Sequence, residues 1–383
     1  MKLEVLLDGK KSYDIICVSG DPATGALSGK GEEQPLSYYL QELGFSKRKI
    51  AVVTDDCVAP LYADSILREL NQITDTVRVI VLSSGEENKH LGAVQGIYEA
   101  LLHEHFDRHD LIVALGGGVV GDIAGFAAAT YLRGIAFVQV PTTLLAMCDS
   151  SIGGKTGVDF ESYKNMVGAF YMPKLVYMHT QVLKTLPERQ LKAGLAEIVK
   201  YGLICDEAFF TRVVNATSDR SVSSLLELDA SKVVSIITES CRYKKEVVEE
   251  DPLESGRRAI LNYGHTIGHA IEKRSGFRML HGECVAVGSL AAAFISRERG
   301  MLSGEEYDRI VTSFQRMGLR FWPATFHVTI RQADVISAMK SDKKADGDTV
   351  KFVLLNGIGN AVIVKDVTEK EVLDALTAVG VGE

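Results

Sequence analysis

Near-continuous apolar runs mark the first half of the chain: Lys49–Thr54, Val77–Leu82, Leu111–Leu115, Ile135–Val140 and Leu175–Met178. Amphipathic stretches such as Leu61–Leu70 and Leu91–His105 separate them. A sheet with one wet face would alternate apolar and polar positions. Strands that are apolar throughout and spaced by helices belong instead to a parallel sheet covered on both sides. From about Pro187 the period becomes helical, with segments at 187–204, 224–248, 256–274 and 281–299. A short β-like piece, Val350–Val364, follows, and no internal repeat or low-complexity tract interrupts the sequence. The pattern predicts an α/β parallel-sheet domain over residues 1–178 and a mostly α-helical domain over residues 179–383. The cleft between two such domains is the expected place for a site.

Length and charge narrow the possibilities. A chain of 383 residues suits two domains, and its 46% hydrophobic content can fill a core in each. Lys and Arg number 42 against 50 Asp and Glu, a net charge of −8. Nucleic acids and anionic membranes are held by basic stripes, so neither is an expected partner. No apolar run approaches the roughly 18 residues of a membrane span. The opening Met1–Lys11 carries Glu4 and Asp8 inside its apolar stretch, unlike a signal peptide. Six cysteines without a C-x-x-C pair suit reduced, buried thiols. The expectation is a cytoplasmic protein.

Candidate chemistry begins where Leu111–Leu115 runs into Gly116-Gly-Gly-Val-Val-Gly121-Asp122 and then the helical Ile123–Leu132. This is G-x-G-x-x-G between a strand and a helix, the Rossmann-like context in which backbone N–H groups approach a pyrophosphate. The acidic residue usual about twenty positions later, which would bind a ribose, is missing. Asp55, at the end of the strand Lys49–Thr54, is placed either for that role or simply to close a turn. After the next strand, Pro141-Thr-Thr143 leads to Asp149-Ser-Ser-Ile-Gly-Gly-Lys155-Thr-Gly157, three glycines around a lysine, with Lys164-Asn165 soon after. Such a cluster resembles an anion cradle, although its spacing is not that of a P-loop.

The helical half carries a different signal. Glu197 and Lys200 are three apart and share a helix face. Arg258, Asn262, His265 and His269 follow steps of four, three and four, which predicts one polar stripe on a single helix. His281-Gly-Glu283 opens the next helix. Glu197, His265, His269 and His281 thus offer one carboxylate and up to three imidazoles, a donor set suited to a catalytic zinc with an open position.

Taken together, these strings resemble the 3-dehydroquinate synthase family of sugar-phosphate cyclases. The resemblance rests on Gly116–Asp122, Arg133-Gly through Gln139-Val-Pro-Thr-Thr143, Asp149–Gly157, Lys164–Phe170, Ala193–Gly202, Leu261–Ala270 and His281-Gly-Glu283, in that order along nearly the whole chain. It implies a carbon–oxygen lyase of the shikimate pathway that uses NAD and one divalent metal, zinc or cobalt. Such an enzyme converts 3-deoxy-D-arabino-heptulosonate 7-phosphate to 3-dehydroquinate and phosphate, by transient oxidation, phosphate elimination, re-reduction and aldol closure.

The same resemblance implies Glu197, His265 and His281 as metal ligands, with His269 moved to the substrate phosphate. It implies substrate or catalytic roles for Asp149, Lys155, Asn165, Lys200, Lys244, Arg258, Asn262 and the pair Lys343 and Lys344. Arg133 matches a residue supplied across a homodimer interface. Cofactor contacts are implied at Asp55, Glu86, Lys89, Gly118, Val119, Val120, Asp122, Thr142, Thr143, Lys155 and Lys164. Tyr163, Met147-Cys148 and His179 depart from the usual glycine, Gln-Val and aspartate, and none of these departures removes a charged catalytic group. The aminocyclitol-forming branch typically carries Glu at the position of Asn262, which favours the dehydroquinate branch. A doubly anionic substrate also explains concentrated cations in an acidic protein. The competing readings are another sugar-phosphate cyclase, a metal-dependent alcohol or glycerol dehydrogenase, and a non-catalytic NAD-binding protein.

Overall fold

The computed structural model describes residues 1–19, 33–161, 163–217, 229–254, 256–276, 278–346 and 350–382. The strands are β1 Lys2–Leu7, β2 Lys10–Val18, β3 Ile50–Asp55, β4 Val77–Leu82, β5 Leu111–Gly116, β6 Ala136–Pro141, β7 Lys155–Phe160, β8 Tyr163–Phe170, β9 Leu175–His179, β10 Phe352–Leu355 and β11 Ala361–Val364. The helices are α1 Leu36–Glu42, α2 Ala59–Leu70, α3 Leu91–His103, α4 Gly118–Thr130, α5 Glu188–Cys205, α6 Glu207–Thr217, α7 Ala230–Glu250, α8 His265–Arg274, α9 His281–Glu298, α10 Gly304–Arg316, α11 Gln332–Asp346 and α12 Glu369–Ala378.

The chain forms two compact units, Met1–Leu186 with Asp229–Leu253, and Pro187–Leu228 with Glu254–Glu383. In the first, a 7-stranded sheet has the order β1-β2-β9-β6-β5-β3-β4. All its pairings are parallel except β1 with β2. Strands β3, β4, β5, β6 and β9 are the apolar runs of the sequence, whereas β2, parallel to β9, is not among them, and β5 is buried along its whole length. Ile97, Leu101, Ile112, Ile123, Ala127 and Phe137 are among the residues of one apolar cluster joining α3 and α4 to the sheet. The β1–β2 hairpin turns on Asp8-Gly9, both at positive φ (50° and 71°), the chemistry of a two-residue hairpin loop.

One helix lies elsewhere than its sequence position suggests. The segment expected at 224–248 begins outside the described residues, and its described part, α7, belongs to the sheet unit rather than the helical one. Val233, Ile237, Val247 and Val248 are buried. Glu249 accepts a 2.6 Å hydrogen bond from the Leu6 amide, and the Cys241 thiol donates to the Met147 carbonyl at 3.4 Å.

The second unit is built around α9, whose sequence is rich in Gly, Ala and Ser and almost wholly buried. Small side chains let backbones meet. A Cβ on Gly282 would stand 2.0 Å from the Ala193 carbonyl oxygen of α5, and one on Gly288 would stand 1.9 Å from that of Gly264. Gly264 itself has φ 77°, a left-handed conformation that begins α8. Here the expected continuous helix 256–274 proves to be two pieces. Arg257–Asn262 is a 3-10 turn, Tyr263 is extended, and α8 starts only at His265. The close approach to α9 requires the break. No helix among the described residues is long and apolar enough to cross a membrane.

This packing has a direct test. Gly288→Ala should lower unfolding free energy by about 2 kcal/mol or more, because the new methyl meets backbone that cannot swing aside. A urea midpoint equal to that of the parent protein would show that α8 and α9 are less tightly opposed than described.

Candidate active site

In the helical unit, the i, i+3 spacing on α5 puts Lys200 Nζ 2.5 Å from Glu197 Oε2, with both side chains essentially out of solvent (1% and 0% exposed). Breaking such a pair leaves an uncompensated buried charge, at a cost of about 3–5 kcal/mol. The other carboxylate oxygen, Oε1, lies 3.7 Å from His265 Nε2 and 3.6 Å from His281 Nε2. His269 stands one turn beyond His265, with ring centroids 5.1 Å apart, and its ring is 5.6 Å from that of His281. One ligand atom from each of the three imidazoles falls within 4.8 Å of the others.

Separations of 3.6–3.7 Å between donor atoms are close to the roughly 3.4 Å edge of a tetrahedron with bonds of about 2.1 Å. One carboxylate and imidazole nitrogens are also the donor types that zinc and cobalt take. The residues present therefore fit a divalent transition-metal ion.

The electrostatics agree with that fit. Burial, helped by the Lys200 charge, drives His265 well below the ordinary histidine pKa, so its ring is neutral with a lone pair to give. For His281, burial opposes the charge, but the carboxylates of Glu197 and Glu272 outweigh it and hold the pKa at about 10. An ion entering this site takes the place of that proton.

The framework around these groups is stiff. Arg189 grips Glu283 with Nε–Oε1 at 2.6 Å and Nη2–Oε2 at 2.8 Å, while Glu283 accepts the Leu280 amide at 2.7 Å. Since Arg189 is on α5 and Glu283 is two residues past His281, this fork sets His281 against Glu197. Arg258 is buried in the 3-10 turn, and Asn262 donates to Glu254 Oε1 at 3.2 Å. Because the helix is broken, Arg258 and Asn262 do not continue the stripe of His265 and His269 as the spacing suggests. Lys343 and Lys344 fall in α11, and their side chains lie outside the described residues.

The sheet unit holds a second set. The glycine turn joins β5 to α4, a 13-residue helix whose cap, Gly117, is extended and has no side chain. A Cβ on Gly118 would come 2.9 Å from Ser150 Oγ, and one on Gly117 would come 3.1 Å from the Thr143 methyl. The hydroxyls of Thr142 and Ser150 are buried without hydrogen-bond partners among the described residues. A helix N-terminus bared by glycines, beside unsatisfied hydroxyls, fits a pyrophosphate and hence a dinucleotide.

Nearby, Lys89 Nζ pairs with Asp122 Oδ2 at 2.6 Å and donates to Asn165 Oδ1 at 2.5 Å, and Lys164 pairs with Glu86 at 2.8 Å. Burial works against the Lys89 charge, yet Asp122 and Glu86 more than compensate, so its pKa is raised. Asp159 accepts the Asn165 amide at 2.8 Å and so steadies a residue at φ 52°. Lys244, on α7, bonds both the carboxylate (2.6 Å) and the carbonyl (2.7 Å) of Asp149. Asp149 lies in a π-helical turn, Ala146–Ser150, a widened geometry often found at functional sites.

Thr143 Oγ1 accepts the Ala146 amide at 3.1 Å. Asp55 Oδ1 accepts the amides of Cys57 (3.0 Å) and Val58 (2.8 Å), the turn-closing role. Lys155 and Arg133 are exposed, the latter at φ 65°. Sequence reasoning missed Glu272, Arg189, Asp159 and Ser150. Glu272 had a signal, being three beyond His269 and therefore the next position of the same stripe.

A parallel-sheet unit with a bared glycine turn and a helical unit with a carboxylate–imidazole cluster define the class of two-unit proteins that also contains metal-dependent dehydrogenases and sugar-phosphate cyclases. Solved structures place the chain there. It matches the 2-epi-5-epi-valiolone synthase of Streptomyces hygroscopicus, a structure with NAD+ and Zn2+ bound, at TM-score 0.84 and 26% identity, over 98% of this chain and 99% of that one. A glycerol dehydrogenase from Schizosaccharomyces pombe matches at TM-score 0.65 and 15% identity, over 95% and 88%, which speaks for the fold alone.

Sequence narrows the class to one family. Residues 79–193 match the model of the 3-dehydroquinate synthase N-terminal domain and residues 194–345 that of its C-terminal domain. The 3-dehydroquinate synthase of Acidithiobacillus ferrooxidans is 43% identical over 371 residues, covering 97% of this chain and 96% of that protein. That of Pseudomonas aeruginosa is 46% identical over 329 residues, covering 86% of each. The chain belongs to the 3-dehydroquinate synthase family.

If the donor set binds an ion, His265→Ala should empty it. Elemental analysis of the folded variant should show metal near background, against about one ion per parent chain. Stoichiometric metal in that variant would refute the assignment.

Proposed function

We propose that this chain acts as a 3-dehydroquinate synthase, releasing phosphate from 3-deoxy-D-arabino-heptulosonate 7-phosphate and closing the carbocycle. The observation that carries the reading is the buried Glu197 carboxylate, shared by Lys200, His265 and His281, in a chain 43–46% identical to curated members of that family. When bound, NAD supplies a two-electron acceptor that returns its electrons, and zinc or cobalt supplies a Lewis acid that polarises a substrate hydroxyl.

The protein's own groups do the rest. Glu197, His265 and His281 hold the ion, and Lys200, fixed by Glu197, keeps a cation beside it. The N–H groups of Gly118, Val119 and Val120 receive the dinucleotide pyrophosphate, with the hydroxyls of Thr142 and Thr143 alongside. Glu86, Lys89, Asp122 and Lys164, paired as Lys89 with Asp122 and Lys164 with Glu86, would hold the cofactor, and Asp55 would take a ribose hydroxyl with its remaining oxygen. Lys155, Lys244, Arg258 and the pair Lys343 and Lys344 supply positive charge to the substrate carboxylate and phosphate, and Asn165, Asn262 and His269 supply hydrogen bonds to them. Asp149 keeps Lys244 in place through the paired hydrogen bonds already described. Elimination breaks the carbon–oxygen bond to phosphate as a proton leaves the neighbouring carbon, and the departing phosphate is the proton acceptor.

The finer reading of the assembly is a homodimer in which Arg133 of one copy completes the phosphate site of the other. Leu132, Phe160, Tyr163, Met166 and Phe170 are each 41–52% exposed. The Tyr171 hydroxyl donates to the Ile135 carbonyl at 2.9 Å, tying the Leu132–Gly134 turn to the end of the β7–β8 hairpin. Exposed apolar side chains in the same stretch of chain as a solvent-exposed arginine suit a second copy better than water does. The dehydrogenase alternative is not favoured, since the dehydrogenases it resembles are 13–17% identical and share only the fold.

Two experiments test this. Under limiting NAD, phosphate release should run to many equivalents per NAD while NADH absorbance stays flat. NADH rising in step with substrate loss, without phosphate, would leave a dehydrogenase. Arg133→Ala should raise KM on the order of 10-fold, the loss of one charged hydrogen bond, with NAD affinity kept. Co-assembly of Arg133→Ala with His265→Ala should recover activity in hybrid dimers, and verified hybrids without activity would rule out a shared site.

A further inference from the structure

Both histidines that face Glu197 present the same ring nitrogen to it. His265 turns Nε2 to Glu197 and has its Nδ1 3.0 Å from the Tyr263 carbonyl. A carbonyl only accepts, so Nδ1 of His265 carries the proton and Nε2 is left as the donor atom. For His281 the arrangement differs. Its Nε2 faces Glu197 at 3.6 Å, but its Nδ1 faces a side chain, Glu272 Oε2, at 3.4 Å. The tautomer of His265 is written into the backbone of the 263–265 turn, whereas that of His281 depends on one replaceable carboxylate.

We infer that Glu272 is the positioning residue of the metal centre, holding His281 by Nδ1–H so that Nε2 remains the donor and making that imidazole a stronger one. Several observations converge on this. Glu272 is 3% exposed, so its charge is not there for solvation. It lies three residues past His269 and seven past His265, on the same face of α8. The Ser275 hydroxyl caps the Glu272 carbonyl at 2.7 Å and accepts the Met279 amide at 3.4 Å, which ties the end of α8 to the segment leading to His281. His281 itself cannot drift, because Glu283 caps Leu280 and is gripped by Arg189. A carboxylate behind a ligating imidazole also adds negative charge to a site otherwise supplied by one carboxylate and neutral rings.

The inference rests on the ligand set proposed above, and its test separates the two. Cobalt(II) affinity of the metal-free protein is measured by competition with a chromophoric chelator, together with the visible spectrum of the bound ion. Glu272→Gln should weaken affinity 10- to 100-fold and shift the spectrum, and Glu272→Asp, which keeps the charge, should recover part of the loss. If Glu272→Gln does not fold, ring ¹⁵N shifts of the zinc-loaded parent protein decide: Nδ1 of His281 should be protonated and Nε2 coordinated. Parent affinity and spectrum in Glu272→Gln, or the reverse tautomer, would overturn the inference alone. A parent protein that binds no cobalt would overturn the ligand reading and this inference with it.

Discussion

One buried carboxylate organises the helical unit. Glu197 has no exposure, and a charge without solvent must be met by partners. Lys200 meets one oxygen from the same helix, while imidazoles from two other helices face the second. The arrangement sets the Lys200 charge 2.5 Å from one oxygen and, at the other, the neutral ring of His265 and the protonated ring of His281. It also explains the opposite behaviour of the two histidines. Burial and the lysine keep His265 neutral, whereas His281, set between Glu197 and Glu272, retains a proton up to about pH 10.

Such a cluster demands that three helices come closer than ordinary side chains allow. The small residues of α9 permit it, with Gly282 against the Ala193 carbonyl and Gly288 against that of Gly264. The same constraint breaks the helix before His265, since Gly264 must adopt a left-handed conformation to bring its carbonyl against α9. The Arg189–Glu283 fork then fixes the register of α5 and α9. The geometry of the carboxylate–imidazole cluster thus rests on close backbone contacts among these helices.

The sheet unit solves a different problem with similar means. Missing Cβ atoms at Gly117 and Gly118 open the N-terminus of α4, and the widened turn at Ala146–Ser150 brings Ser150 beside it and Asp149 to Lys244. Lys89, Asp122 and Asn165 form a hydrogen-bonded and ion-paired network within this unit.

Five of the parallel strands, the glycine turn and the carboxylate and imidazole donors were legible in the residues, because period, turn chemistry and donor type are local properties, while β2 was not among the strands read. Val77–Leu82 even matches β4 end to end. The Asp8-Gly9 hairpin went unread, although the backbone preference of that dipeptide is local. Three things were not legible. The spacing of Arg258, Asn262, His265 and His269 obeys a helical repeat, yet only packing against α9 shows that the helix stops between them. The membership of α7 in the sheet unit follows from what its apolar face meets, Met147 and the first strands, which are far away in sequence. Glu272 becomes a partner of His281 only when α8 and α9 fold back on each other. Sequence determined which chemical groups this protein owns. Tertiary structure decided which of them share a charge, because burial and distance arise only when separate helices are packed.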